Sequence, residues 1–151
     1  MSLLLHRYKQ SLAFRALFSR PNVQTMNANQ KPHEFDALTN WSQLTDQELA
    51  AVASGTSIEL LRQIAGLLLP VEETRHFEIN SDNLVPVARA MRSLYEEGSR
   101  ALGDAIVAAG ELADRGDRVG AVSTYLAFLT ACRSPFYVQI AQSQIERLKN
   151  A

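Results

Sequence analysis

Between Leu84 and Ala113 the residues Leu84, Val87, Ala88, Met91, Leu94, Tyr95, Leu102, Ala105, Ile106, Ala109, Leu112 and Ala113 hold one face of a 3.6-residue period. An apolar stripe of roughly thirty residues is about five times the length of an ordinary strand, so it specifies helix. At 1.5 Å per residue that helix would run to about 45 Å, and its apolar side needs other helices laid along it. Gly98 falls in the only gap of the stripe, which predicts either one long helix or two that share a face with a joint there. Pro86 lies in the first turn, where its missing N–H costs nothing.

The flanking sequence supplies the covering helices. Thr45-Asp-Gln-Glu48 and Thr56-Ser-Ile-Glu59 both fit a capping box, in which the hydroxyl accepts from the N3 amide and the Glu reaches back to the cap amide. They predict helices over about 46–54 and 57–69, the second burying Ile58, Leu61, Ile64, Ala65 and Leu68 before Pro70 stops it. Residues 71–82, with mixed charge and Asn-Ser-Asp chemistry, read as a connecting loop. After Ala113 a new stripe, Val119, Val122, Leu126 and Leu129, begins beyond Arg115-Gly116-Asp117. That tripeptide is the one adhesion receptors read, yet its place at a helix-to-helix corner accounts for it: Gly116 for the left-handed C′ position, Asp117 for the next N-cap, and Arg115 as a cation near the carbonyl end. Ser134-Pro135 reads as cap and first residue of a last helix burying Tyr137, Ile140, Ala141, Ile145 and Leu148. The expected fold class is therefore all-α: a bundle of about five helices, closing in an antiparallel hairpin array of tetratricopeptide-like form.

Residues 1–35 differ from the rest and are read as a flexible N-terminal arm, with 36–151 as a single helical domain. All 16 acidic residues lie at or beyond Glu34, whereas Arg7, Lys9, Arg15, Arg20 and Lys31 precede it. Such an arm has the composition of a targeting segment or of sequence upstream of a later start, for which Met26 is the alternative. Stripped of it, the domain is acidic, which disfavours nucleic acid and favours a basic partner. No apolar run approaches the roughly 18 residues of a membrane span. Cys132 is the single cysteine and sits in an apolar helical pattern, so a reducing, cytoplasmic location and a packing role are expected.

The residue patterns point to no catalytic chemistry. Glu73-x-x-His76 is half of a di-iron carboxylate motif without its second half, and the glycines form no phosphate-binding loop. Glu72-Glu73 and Glu96-Glu97 are adjacent pairs, and neighbours on a helix point about 100° apart, so neither pair faces one scissile bond. The chain is read as non-enzymatic, with no catalytic, metal or cofactor site. Phe128, Phe136 and Tyr137 are assigned to the core rather than to base stacking.

Four segments carry a family resemblance: Trp41-Ser-Gln-Leu44, Glu97-Gly-Ser-Arg-Ala-Leu-Gly-Asp-Ala105, Leu112-Ala-Asp-Arg-Gly-Asp-Arg-Val-Gly-Ala121 and Tyr137-Val-Gln-Ile-Ala141. Over about residues 41–149 the chain resembles the DUSAM domain, a paralogous helical family of myxobacteria. The Gly-Asp-x-x-Gly-Ala corner also occurs in tetratricopeptide-like hairpins. The resemblance implies a protein-binding role, an immunity protein that neutralises a cognate toxin by direct contact, and the acidic charge of the domain favours a basic one. Glu72, Glu73, Glu96 and Glu97 are the candidate partner-binding residues. A helical-hairpin scaffold or homodimeric interaction module is the alternative.

Overall fold

The computed structural model describes residues 34–151. The expected arm up to position 33, with Met26, lies outside the described residues. Seven helices follow: α1 Glu34–Ser42, α2 Asp46–Ala51, α3 Gly55–Leu68, α4 Val71–Thr74, α5 Leu84–Asp114, α6 Arg118–Ala131 and α7 Pro135–Asn150. There is no strand among the described residues, and the molecule is an all-α bundle. Two more helices form than the five expected. One is α4, a single turn that starts after Pro70 inside the segment read as a loop. The other is α1, whose Phe35 belonged to the expected arm and is buried. Its ring stacks on Tyr95 at 4.6 Å and meets Phe136 edge-on at 4.9 Å, tying α1 to α5 and α7.

Helix α5 is the spine. It runs unbroken through Gly98, because the gap in the stripe is a seat for another ring and not a joint: a Cβ at Gly98 would overlap the side chain of Tyr137. The Tyr137 hydroxyl passes over that glycine to donate to the Tyr95 carbonyl at 2.6 Å, with the Ser99 hydroxyl 2.8 Å away. Leu84, Val87, Ala88 and Met91 bury one end of the spine under α1–α3, and Leu102, Ala105 and Ala109 bury the other under α6. Leu94 of the expected stripe is exposed.

The caps separate into those the sequence locates and those it misplaces. Around Thr45 the capping box is complete, with Glu48 N–H donating to Thr45 Oγ1 at 3.2 Å and Thr45 N–H to Glu48 Oε2 at 2.8 Å. That backbone hydrogen bond from Thr45 holds the Glu48 carboxyl below its ordinary value. The second expected box does not form. Ser54, extended at φ −146°, caps α3 by accepting from Ser57 N–H, which places Thr56 inside the first turn. Pro70 acts as expected: it forces Leu69 into extended backbone (ψ 147°) and ends α3 at Leu68.

Helix α6 requires a larger correction. Of the expected stripe Val119, Val122, Leu126, Leu129, Val122 and Leu129 pack half-buried against the core and Val119 and Leu126 do not, while the buried contacts of the helix are Ala121 and Tyr125. Val119 is 82% exposed and Leu126 51%. The reason is the close approach of α6 to α5, which the small side chain of Ala121, fully buried, permits and a larger one would block. Choosing Ala121 as the contact rotates the bulkier residues outward.

Candidate functional site

Two corners of the hairpin array govern where side chains reach the surface. At the first, α5 ends in a Schellman arrangement: Asp117 N–H donates to the Leu112 carbonyl and Gly116 N–H to that of Ala113, both at 2.9 Å. Gly116 takes φ +83°, open to glycine at no steric cost. Asp117 Oδ1 accepts from Gly120 N–H at 2.8 Å, and a Cβ on residue 120 would press into that carboxylate. Thus Gly116, Asp117, Gly120 and Ala121 are each required by the turn, the cap or the α5–α6 contact. The adhesion tripeptide is accounted for by geometry alone.

The second corner, Cys132 to Ser134, is built differently. Ser134 and Pro135 occupy the expected cap and first positions of α7, but the Ser134 hydroxyl does not cap it. It donates instead to the Leu67 carbonyl at the end of α3, 3.0 Å away. Next to it the Arg133 guanidinium reaches Glu73 on α4 at 3.2 Å. This corner is pinned to the α3–α4 turn while the middle of α5 passes beneath. A cleft of about 360 Å³ opens between them. Its floor is apolar, made by Leu68, Leu94, Ala101, Phe128 and the Tyr137 ring; its charged groups are Glu73, Glu97 and Arg133. Burial pushes the Tyr137 hydroxyl up to about 12, against the Ser99 hydrogen bond, so at neutral pH it is a fixed, uncharged strut.

Two of the four candidate glutamates meet in this cleft, and two do not. Glu73 and Glu97 stand on its rim, from α4 and α5. Glu72, adjacent on α4, is exposed outside it. Glu96 turns away by the helical angle and pairs with Arg92 at 2.7 Å, four residues back on the same helix. Among the described residues Glu97 forms no ion pair, whereas Glu73 is held by Arg133. His76 lies beyond the end of α4, so Glu73-x-x-His76 does not share a helical face. No group of three or more His, Cys, Asp or Glu side chains among the described residues converges as a metal set.

Sequence reading missed Arg133 and Ser134 as rim residues, since their partners, Glu73 and Leu67, lie more than fifty residues away along the chain. It also missed Arg89, which donates to the carbonyls of Trp41 (2.9 Å) and Leu44 (2.5 Å) and to Asp46 Oδ1 (3.0 Å), fastening the α1–α2 corner to the spine. A cation beside the apolar stripe of a long helix was the available signal.

Among the described residues no helix is long and apolar enough to cross a membrane. Comparison with curated proteins and with solved structures returns no match. The family models do, over a span that contains both corners, the cleft and all four glutamates: through its residues 39–148 the chain belongs to the family described as protein of unknown function (DUF2379).

Proposed function

We propose that the chain is a non-enzymatic protein-binding domain that holds a basic partner in the cleft between the α3–α4 turn, α5 and the α6–α7 corner. One observation carries this reading: an apolar floor with the carboxylates of Glu73 and Glu97 on its rim. A partner side chain or short segment with an apolar body and a cationic flank satisfies both parts. The apolar contact would supply most of the affinity, and the carboxylates would steer approach and fix orientation. Glu97, which forms no ion pair among the described residues, is the residue with most to offer, because Glu73 must first give up Arg133. Tyr137 and Glu48, whose pKa values are shifted, have structural roles that support a non-catalytic reading: Tyr137 braces α5 and Glu48 closes a cap.

The DUSAM resemblance gives the proposal its biological form, an immunity protein that neutralises a cognate toxin by stoichiometric binding inside the cell. A toxin-like reading frame next to the gene, whose lethality on expression is relieved by co-expressing this chain and not by its Glu97→Lys variant, is the expected result. Full relief by a variant with both Glu97→Lys and Leu94→Asp would show that the cleft is not the binding surface. An isolated locus among housekeeping genes would remove the immunity role.

A further inference from the structure

The outward rotation of α6 leaves a second apolar opening, at the other end of the α6–α7 hairpin from the cleft. Val119 and Leu126 are exposed on α6, Val122 lies half-buried between them, and the half-buried Leu148 of α7 faces them across an open groove of about 560 Å³. Nothing in local structure calls for this. Val119 follows the N-cap by two residues, where a polar residue would serve the helix as well. The groove spans two turns, about 10 Å, and lies between two antiparallel helices, which is the seat a third helix takes in such an array.

The charge of the groove identifies what fits it. Its charged lining groups are Arg118 and Lys149, both cationic, and they sit at one end because α6 begins where the antiparallel α7 finishes. Arg118 forms no ion pair among the described residues, and Lys149 shares only Glu146, at 3.3 Å. Arg147 adds a further cation in the same last turn of α7. No carboxylate lines the groove; of those near its cationic end, Asp117 caps α6 and Glu111 lies 4.0 Å from Arg115. A second copy of this chain applied face to face would bring its own Arg118 and Lys149 to the same place, so self-association is disfavoured here.

We propose that the α6–α7 groove is a second docking surface, distinct from the cleft, for an amphipathic helix of another protein that carries carboxylates beside an apolar face. Apolar residues at i, i+3 or i+4, and i+7 of that helix would fill the groove formed by Val119, Val122, Leu126 and Leu148. Its carboxylates would meet Arg118 and Lys149. The domain would then present two openings of opposite preference, one for a basic partner and one for an acidic helix.

The experiment uses the full chain and two synthetic amphipathic peptides of about four helical turns, with Leu at i, i+3 and i+7 and either Glu or Lys at the flanking positions. Methyl-resolved NMR titration should show the Glu peptide binding about tenfold or more tighter than the Lys peptide, with shifts centred on Val119, Leu126 and Leu148. Leu126→Asp should abolish the binding, and Val119→Ser, at a more exposed position, should weaken it without altering the fold. Arg118→Glu should remove the preference for the Glu peptide. Equal affinities of the two peptides for this groove, Glu-peptide shifts centred on Leu94 in the cleft, or a concentration-dependent self-association abolished by Leu126→Asp would each overturn the proposal, whereas Lys-peptide shifts at Leu94 report on the cleft alone.

Discussion

The two corners of the hairpin array solve the same problem, reversing the chain between helices, with opposite resources. The α5–α6 corner is self-sufficient: Gly116, Asp117 and Gly120 satisfy its backbone within a few residues of sequence. The α6–α7 corner spends its polar side chains elsewhere, Ser134 on Leu67 and Arg133 on Glu73, each across more than fifty residues. A corner that closes locally leaves its surroundings free. One that closes on distant elements holds them in place and creates a cleft between itself and them. The difference separates a corner whose Gly116, Asp117 and Gly120 only build the turn from a corner whose Arg133 and Ser134 line the proposed cleft.

The largest effect should come from the seat that the spine gives α7, Gly98 under the Tyr137 ring. Gly98→Val would drive a branched side chain into that ring and displace its hydroxyl from Tyr95 and Ser99, at about 3 kcal/mol. An unchanged thermal midpoint would mean the ring does not rest on the spine.

Next come the substitutions that set the corners apart. Gly116→Ala and Asp117→Ala should each cost about 1 kcal/mol, the first by forcing a Cβ into left-handed backbone and the second by uncovering an amide. Their effect on amide hydrogen exchange should stay within residues 112–121. Ser134→Ala should cost somewhat less, about 0.5–1 kcal/mol for one hydrogen bond. Yet it should speed exchange at the Leu69 amide, which bonds to the Ala65 carbonyl in the last turn of α3. If exchange after Ser134→Ala changed only within α7, the contrast between a local and a distant corner would fail.

At neutral pH the smallest effect is that of Tyr137 ionisation. Its pKa is raised in the folded protein to about 12 from an ordinary 10, so the folded state keeps the proton longer than the unfolded chain. Stability from this source is complete below pH 10 and declines as pH rises from there through 12. Equilibrium unfolding followed from pH 8 to 12 should show that decline, and Tyr137→Phe should flatten it while leaving the shallower contribution of Tyr125, also raised by burial. An equally steep decline in the Phe variant would assign the alkaline limb to another group.

What could be read from the sequence follows the same division. The long helix, its start, the Thr45 box, the Pro70 stop and the whole of the Gly116-Asp117 turn were legible because each is determined by residues within a turn or two. The cap of α3 was misplaced by two residues because Thr56-Ser-Ile-Glu59 and Ser54-Gly-Thr-Ser57 both offer a hydroxyl, and only the chain path out of α2, with Ser57 bonded to the Val52 carbonyl, selects between them. The facing of α6 was misread because hydrophobicity favours Val119 and Leu126, whereas helix proximity favours Ala121. That contest is decided in three dimensions. Of the four glutamates, the pairing Glu73 with Glu97 required knowing that α4 folds back beside the middle of α5, and no local pattern states it.

The central claim is that the cleft at the α6–α7 corner attracts and holds a basic, apolar partner, and stopped-flow association of a Leu/Lys amphipathic peptide tests it most directly. The account predicts an on-rate that falls steeply from low to high salt with a nearly constant off-rate. It also predicts an approximately tenfold slower association at low salt for Glu97→Lys, and little change for Glu146→Lys at the far end of the hairpin. An on-rate flat in salt, or one slowed equally by the two substitutions, would contradict it.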